Sequence, residues 1–124
     1  MTAGTEGHVV PTVAAPRDIL TGTTFLPKPT ALTADLHERS ATAWTASTGR
    51  VRAGYWECGA GAFTAARDGE HEVCYIVSGS ATLRDAAGER TDVSAGSILA
   101  LPSGWVGTWE VHEPIVKVFV LAQG

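Results

Sequence analysis

From residue 41 onward the chain alternates between short β-like runs and turn signals, and this pattern constrains its fold most. Turn signals such as Ser78-Gly79 and Glu113-Pro114 separate nine runs of four to eight residues. The runs are Ala41–Ser47, Val51–Cys58, Ala62–Ala66, Val73–Val77, Ser80–Arg84, Arg90–Val93, Ile98–Leu101, Val106–Val111 and Ile115–Leu121. Such spacing, with no helical segment between the runs, indicates an all-β antiparallel sandwich or barrel. A parallel sheet is excluded, because it needs crossover helices.

The first 40 residues follow a different pattern, rich in Thr, Ala, Pro and Gly. Proline fixes φ and removes a hydrogen-bond donor, so no long helix is expected here. Short extended pieces are predicted at His8–Val13 and Thr21–Phe25, with one weak helical patch at Ala31–Arg39. We interpret residues 1–40 as an extended, partly irregular N-terminal arm that lies over the domain or a neighbouring subunit. Residues 41–124 form the barrel.

Composition narrows the class of protein. The chain has 124 residues, 44% of them hydrophobic and 18% charged, which suits one folded domain. A net charge of −4 with scattered basic residues argues against a nucleic acid partner. No apolar run approaches the ~20 residues of a membrane span, and no secretory signal is recognised. Cys58 and Cys74 form no CxxC pair, so we expect a cytoplasmic protein with free thiols.

Two glycine-punctuated segments narrow the fold further. The first is Glu72-Val-Cys-Tyr-Ile-Val-Ser-Gly79, and the second runs from Gly96 through Pro102 to Gly104. Together they resemble the two motifs of the cupin superfamily, which implies a jelly-roll barrel. Around them, Gly54-Tyr-Trp-Glu-Cys, Gly104-Trp-Val-Gly-Thr-Trp-Glu-Val and Lys117 resemble one single-domain subfamily, related to the ureidoglycine aminohydrolases and the ethanolamine-utilisation cupins. The resemblance covers roughly residues 44–121.

The same resemblance locates the usual metal ligands of cupins. Those positions fall on Ala65 or Ala66, Arg67 or Asp68, Glu72, and Gly107, so only the glutamate is retained. Strand alternation places His71 and His112 on the opposite face from the barrel interior. We therefore predict no metal cofactor of the usual cupin type. A site that combines Glu72, a cysteine and a histidine from the arm (His8 or His37) is the alternative.

Glu72 is the central candidate residue, because alternation points it into the barrel with Cys74 and Ile76. A carboxylate among apolar neighbours suits general acid/base chemistry or the anchoring of a ligand; a salt bridge at the barrel mouth is the structural alternative. Lys117, on the most apolar strand, is expected to reach Glu57 or Glu72. Such a pairing would hold the carboxylate ionised, which argues against acid/base chemistry.

The remaining candidates are aromatic residues and a thiol. Trp56, Trp105 and Trp109 could form the walls of a pocket or simply pack in the core, and Trp109 shares the parity of Gly107 and could fill the lost ligand position. Cys74 is either a nucleophile or, as we favour, a small buried hydrophobe. Tyr75 is expected to point away from the interior.

Three functions are compatible with these residues. The first is a metal-independent pocket in the barrel that binds or acts on a small polar metabolite, such as a nitrogen-containing one. The second is a metal-dependent enzyme similar to the aminohydrolases. The third is a structural or interaction role with a filled barrel. A homodimer is the expected assembly.

Overall fold

The computed structural model describes residues 9–124. One short helix, α1 (Pro16–Leu20), precedes eight strands. They are β1 (Leu26–Pro27), β2 (His37–Thr45), β3 (Val51–Cys58), β4 (Gly61–Ala66), β5 (Glu70–Asp85), β6 (Arg90–Ser94), β7 (Ile98–Leu101) and β8 (Val106–Gln123). All strand pairs are antiparallel. The predicted all-β jelly roll is confirmed.

Two long strands join the two halves of the barrel. The first half of β5 pairs with β7 and the second half with β6, while β8 pairs first with β4 and then with β3. The strands thus form a six-stranded sheet, in the order β1-β2-β3-β8-β5-β7, and a four-stranded sheet, in the order β4-β8-β5-β6. The register between β5 and β8 shifts between Ile76 and Ala81, where the chain turns from one sheet to the other.

This bend explains one motif glycine. Gly79 has φ +89°, and a Cβ there would collide with the backbone oxygen of Pro114 on β8. Only glycine permits both the positive φ and this close approach. The predicted breaks at Ser78-Gly79 and Glu113-Pro114 are therefore bends inside continuous strands, and four of the nine predicted runs merge into β5 and β8.

The N-terminal segment differs from its prediction in several places. The helical patch predicted at Ala31–Arg39 is wrong, because β2 begins at His37 and pairs with β3. The boundary drawn at residue 40 consequently falls inside a strand. The piece predicted at Thr21–Phe25 is not a strand; the extended pairing comes just after it, in β1. Residues 9–13 form no regular element, and His8 lies outside the described residues.

Helix α1 covers part of the outer face of the six-stranded sheet. It begins at Pro16, whose fixed φ suits the first helical turn. It packs against β2 and β3: Leu20 is buried, and the Tyr55 hydroxyl donates a hydrogen bond to the Ala14 carbonyl oxygen at 2.6 Å. The described part of the arm therefore lies over its own domain. The predicted alternative, a position over a neighbouring subunit, is not what this chain shows for residues 14–20.

The hydrophobic core lies between the two sheets. Its largest fully buried side chains are Cys58, Ile76, Leu83, Trp109 and Ile115. On β8 the side chains of Ile115 and Lys117 are buried, while Val120 is exposed on the other face. The predicted alternation of this strand is confirmed, and it carries Lys117 into the barrel.

Candidate ligand-binding site

A cavity of about 580 Å³ lies at one end of the barrel. That volume falls within the range of small-molecule pockets, about 300–1,000 Å³. Polar side chains of β2 (Glu38, Ser40 and Thr42) form one wall, and the aromatic rings of Trp56, Phe63 and Trp109 form another. The three rings pack with centroids 5.7–5.9 Å apart.

A buried ion pair lies at the centre of this cavity. Glu72 on β5 is only 3% exposed, and its Oε2 lies 2.7 Å from Lys117 Nζ on β8. Of the two partners that the sequence allowed for Lys117, the structure selects Glu72. A second cation, the Arg67 guanidinium, lies 3.8 Å from the other carboxylate oxygen of Glu72. Each carboxylate oxygen of Glu72 thus has a cation beside it.

Aromatic rings surround the lysine as well. Lys117 Nζ lies 4.5 Å from the ring centroid of Trp56 and 4.9 Å from that of Trp109. These are cation–π distances, and the interaction is strongest where water is excluded. The two tryptophans therefore help to hold the charged amine in the barrel.

The arm contributes a second ion pair to the same cavity. Lys28 Nζ lies 2.7 Å from Glu38 Oε1 and 4.4 Å from the Phe63 ring centroid. The indole nitrogen of Trp56 donates a hydrogen bond to the same carboxylate oxygen at 2.8 Å. One chain of contacts thus connects the arm, through Glu38 and Trp56, to Lys117.

Other charged side chains complete the lining. Arg52 and Glu70 form an ion pair of 2.8 Å. The full set of charged lining residues is Lys28, Glu38, Arg52, Arg67, Asp68, Glu70, Glu72 and Lys117. Four cations and four carboxylates make the cavity neutral by count.

Four of the seven predicted site residues line the cavity: Trp56, Glu72, Trp109 and Lys117. Glu57 does not, which corrects its prediction. Because it follows Trp56 on one strand, it points to the outer face, where it pairs with Arg39 at 2.7 Å.

Cys74 points inward as predicted but does not line the cavity. Its side chain is 2% exposed, and burial raises the pKa of the thiol to about 11. Burial raises the pKa of Cys58 to about 11 in the same way. A thiol with such a pKa carries little thiolate near neutral pH, so the structure agrees with the packing role that the sequence favoured over a nucleophile.

Trp105 also lies outside the lining, because its indole is packed against Gly107. A Cβ at Gly107 would come within 2.7 Å of a Trp105 ring atom and would collide with the Arg84 backbone oxygen. Trp105, rather than Trp109, is thus the ring that lies against the position of the second-motif histidine. No larger side chain fits there without a shift of the backbone or the indole.

The histidines in the described residues lie away from the cavity lining. His71 is exposed and accepts a hydrogen bond from the Ser103 backbone nitrogen at 2.9 Å. His112 Nε2 lies 2.8 Å from the Thr82 hydroxyl, which donates to Asp92; this hydrogen bond, with one from Arg90, lowers the pKa of Asp92. His37 is exposed, with Nδ1 3.0 Å from the Asp35 carbonyl oxygen.

The residues present do not fit the usual cupin metal. Within residues 9–124, no three His, Cys, Asp or Glu side chains come together as a ligand set. The one retained ligand, Glu72, already contacts an ammonium group, which would repel a divalent cation. Arg67, at one of the former ligand positions, adds a second positive charge.

Sequence reasoning missed three contributors to the cavity. Arg67 was noted only as a replacement for a metal ligand, whereas its side chain faces Glu72. The Lys28–Glu38 pair was hidden inside the predicted arm. The alternating polar residues Glu38, Ser40 and Thr42 on β2 are the signal that could have revealed that wall.

A jelly-roll barrel with a cavity between its sheets is the architecture of cupins, among other families. The model of the EutQ-like cupin domain matches residues 45–119, more than half of the chain, so the protein belongs to the EutQ-like cupin family. This agrees with the resemblance seen over residues 44–121. A search of curated protein sequences gives no match.

Solved structures with the same fold have diverse descriptions. EutQ from Clostridium difficile is 17% identical, with a TM-score of 0.64 over 72% of this chain and 70% of that one. A predicted oxalate decarboxylase from Thermotoga maritima is 16% identical, with a TM-score of 0.67 over 90% and 99%. Ectoine synthase from P. lautus is 15% identical, with a TM-score of 0.65 over 90% and 77%. Identities this low show the common fold alone.

None of the helices in residues 9–124 is long and apolar enough to span a membrane.

Proposed function

We propose that this cupin binds or acts on a small polar metabolite in the barrel cavity and that it does so without a bound metal. The observation that carries the proposal is the ion pair between Glu72 and Lys117, buried beside a cavity of about 580 Å³. A buried ion pair is costly to desolvate and gives a core little net stability over apolar residues. Charges in such a place are typical of a ligand site.

The aromatic rings and the polar wall define what the cavity accepts. Trp56 and Trp109 offer flat apolar surfaces, while Glu38, Ser40 and Thr42 on the strand next to Trp56 offer hydrogen-bonding groups. A small ligand with polar groups on a compact skeleton suits this combination. Nitrogen-containing metabolites belong to this class, and their N–H groups would suit the carboxylates of the wall.

A thermal-shift screen tests the proposal directly. A ligand that binds only the folded state raises the melting temperature by mass action. We expect hits among small polar metabolites, and we expect Trp56→Ala to reduce their shifts while Trp44→Ala, an exposed tryptophan outside the cavity lining, leaves them unchanged. Hits whose shifts survive Trp56→Ala would contradict binding in the barrel.

Metal analysis separates this proposal from the metalloenzyme alternative. We expect the purified protein to contain no stoichiometric Mn, Fe, Ni or Zn. A stoichiometric metal that is lost in Glu72→Gln would overturn the metal-independent proposal and favour an aminohydrolase-like enzyme.

A second candidate role rests on the outer face of the six-stranded sheet. We propose that a second copy of this chain docks on the outer strip, defined as Val73, Tyr75, Val77, Ile98 and Val120. These residues are 40–76% exposed. The register places Tyr75 beside Ile98 and Val73 beside Val120, so the strip is continuous across β7, β5 and β8.

The strip suits a twofold interface because it contains no charge. In such an interface the same patch meets itself, and an apolar patch is complementary to its own copy. Soluble monomers rarely expose contiguous apolar patches of this kind. We therefore expect the molar mass in solution, measured by light scattering, to be that of a dimer; a monomer at micromolar concentration would contradict the proposal.

A further inference from the structure

We propose that the ligand of this cavity carries a carboxylate and that the Arg67 guanidinium binds it. This inference rests on the proposed ligand-binding function and names the chemical class of ligand. It comes from a difference between Arg67 and the other cations of the cavity.

The other three cations each have a close carboxylate partner. Lys28, Arg52 and Lys117 lie 2.7–2.8 Å from the oxygens of their glutamates. Arg67 lies 3.8 Å from Glu72 Oε1, which is beyond hydrogen-bond distance. Its side chain therefore makes no hydrogen bond to any atom of residues 9–124.

Burial makes this situation costly. Arg67 Nε is fully buried and has no hydrogen-bond partner among the described protein atoms. A buried donor without a partner costs free energy, more so when the group is charged. An unsatisfied group of this kind points to a functional role or to a partner other than protein atoms. Arg67 lines the cavity, and its side chain is 25% exposed.

The Arg67 backbone is held in place by the neighbouring turn. Its nitrogen donates a hydrogen bond to the Trp105 carbonyl oxygen at 2.8 Å, and its carbonyl oxygen accepts one from Gly104 at 2.6 Å. The side chain thus starts from a fixed point at the cavity wall. A positioned guanidinium binds with little further loss of entropy.

Charge and geometry favour a carboxylate over other anions. Arg67, Lys117 and Glu72 sum to one positive charge, which a monoanion neutralises. Asp68 also lines the cavity, but it is exposed and takes part in no ion pair in the described range. A guanidinium offers two parallel N–H groups, which match the two oxygens of a carboxylate. A phosphate dianion would bring excess negative charge next to Glu72.

The test compares carboxylates with their uncharged counterparts. The probes are lactate and lactamide, N-carbamoylglycine and its amide, and inorganic phosphate. We screen them by thermal shift and measure the strongest hit by calorimetry. We expect hits among the acids and none among the matched amides, because an amide has no negative charge and offers the guanidinium one acceptor oxygen instead of two.

Variants then test the role of Arg67. We expect Arg67→Gln to weaken binding of the acid roughly 10- to 100-fold, the usual effect of losing a charged hydrogen bond. Arg67→Lys keeps the positive charge but lacks the two parallel N–H groups of the guanidinium, so we expect it to recover only part of the affinity. Arg39→Gln is the control, and we expect it to change affinity less than threefold, because Arg39 lies outside the cavity lining and is paired with Glu57 on the outer face.

The outcomes separate this inference from the proposed function. Binding of amides or phosphate that Arg67→Gln leaves unchanged would overturn the carboxylate inference, while the cavity would remain a binding site. Silence of every probe and of the wider metabolite screen would overturn both. Circular dichroism of each variant shows whether it is folded, and Arg67→Lys keeps the test decisive if Arg67→Gln is not.

Discussion

The two faces of the six-stranded sheet each depart from the usual distribution of side chains. Its inner face buries Glu72 and Lys117, while its outer face exposes Tyr75 and Ile98 at 47% and 76%. Burial of charge and exposure of large apolar groups both cost free energy unless a partner compensates. The difference supports the two proposals made above, that the inner face contacts a small molecule and that the outer face contacts a second copy of this chain.

On the inner face, the substitution that we expect to destabilise the protein most is one that removes a single buried charge. We expect Lys117→Met to lower the free energy of unfolding by about 3 kcal/mol, because it leaves Glu72 buried without its closest counter-ion. Denaturant unfolding measures the change. Arg67, at 3.8 Å, compensates only part of the loss, since that distance is beyond a hydrogen bond.

A double variant controls for the loss of packing. Lys117→Met combined with Glu72→Leu removes both charges, and we expect it to recover most of the stability lost in the single variant. If Lys117→Ala changed neither stability nor ligand binding, the pairing would have no role in the protein.

The reactivity of the two buried cysteines shows whether water and reagents reach the interior of the barrel. Because burial raises the pKa of Cys58 and Cys74 to about 11, from 9.0, the folded protein at pH 8 carries about 100-fold less thiolate than the unfolded chain. We expect labelling by a disulfide reagent to be slower by at least this factor in the folded state. Fast labelling of one native thiol at pH 8 would reveal an accessible cysteine and revive the nucleophile hypothesis for Cys74.

The same shifts predict a pH dependence of stability. Between pH 9 and pH 11 the thiols ionise in the unfolded state and remain protonated in the folded state, so the unfolded state binds fewer protons. The free energy of unfolding therefore decreases as the pH rises through this window. We expect Cys58→Ala and Cys74→Ala each to weaken the dependence.

The outer face is tested by placing a charge in the strip. We expect Ile98→Glu to raise the dissociation constant of the proposed dimer at least about 30-fold, as for a residue at the centre of an interface. Val106→Glu is the matched control, because Val106 is 54% exposed but lies on β8 where that strand pairs with β4. Equal effects of the two substitutions on the measured mass would argue against the strip as the interface.

Strand alternation explains what the sequence could predict. It placed Glu72 and Lys117 on the inner face and Tyr75 on the outer face, because the side-chain period of two is maintained in a paired strand. The same period excludes the joint prediction of Trp56 and Glu57 as site residues, because neighbours on β3 cannot both face the cavity. The motif glycines indicated the fold because backbone geometry, as at Gly79, requires that residue type.

The rest of the site depends on contacts between distant segments. Glu38 belongs to a segment whose local sequence predicts a helix. The segment is a strand because it pairs with β3. Lys28 reaches the cavity because β1 pairs with the other edge of β2. Whether Arg67 has a close ion-pair partner depends on distances between segments of the folded chain. The spacing of residues along the sequence does not determine these distances. Such features arise from tertiary structure, and the polar alternation of β2 is the one local signal among them.

The smallest effect is expected for an ion pair on the outer face of the six-stranded sheet. Arg39 and Glu57 lie 2.7 Å apart, as close as Lys117 and Glu72, but their side chains are 20% and 24% exposed. Water screens both charges and hydrates each one when its partner is removed, so the pair contributes little. We expect Glu57→Gln to change the free energy of unfolding by less than about 1 kcal/mol and to leave ligand binding unchanged. If Glu57→Gln lowered the free energy of unfolding as much as Lys117→Met does, the ion pairs on the two faces would contribute equally to stability. The difference between the faces would then not depend on burial.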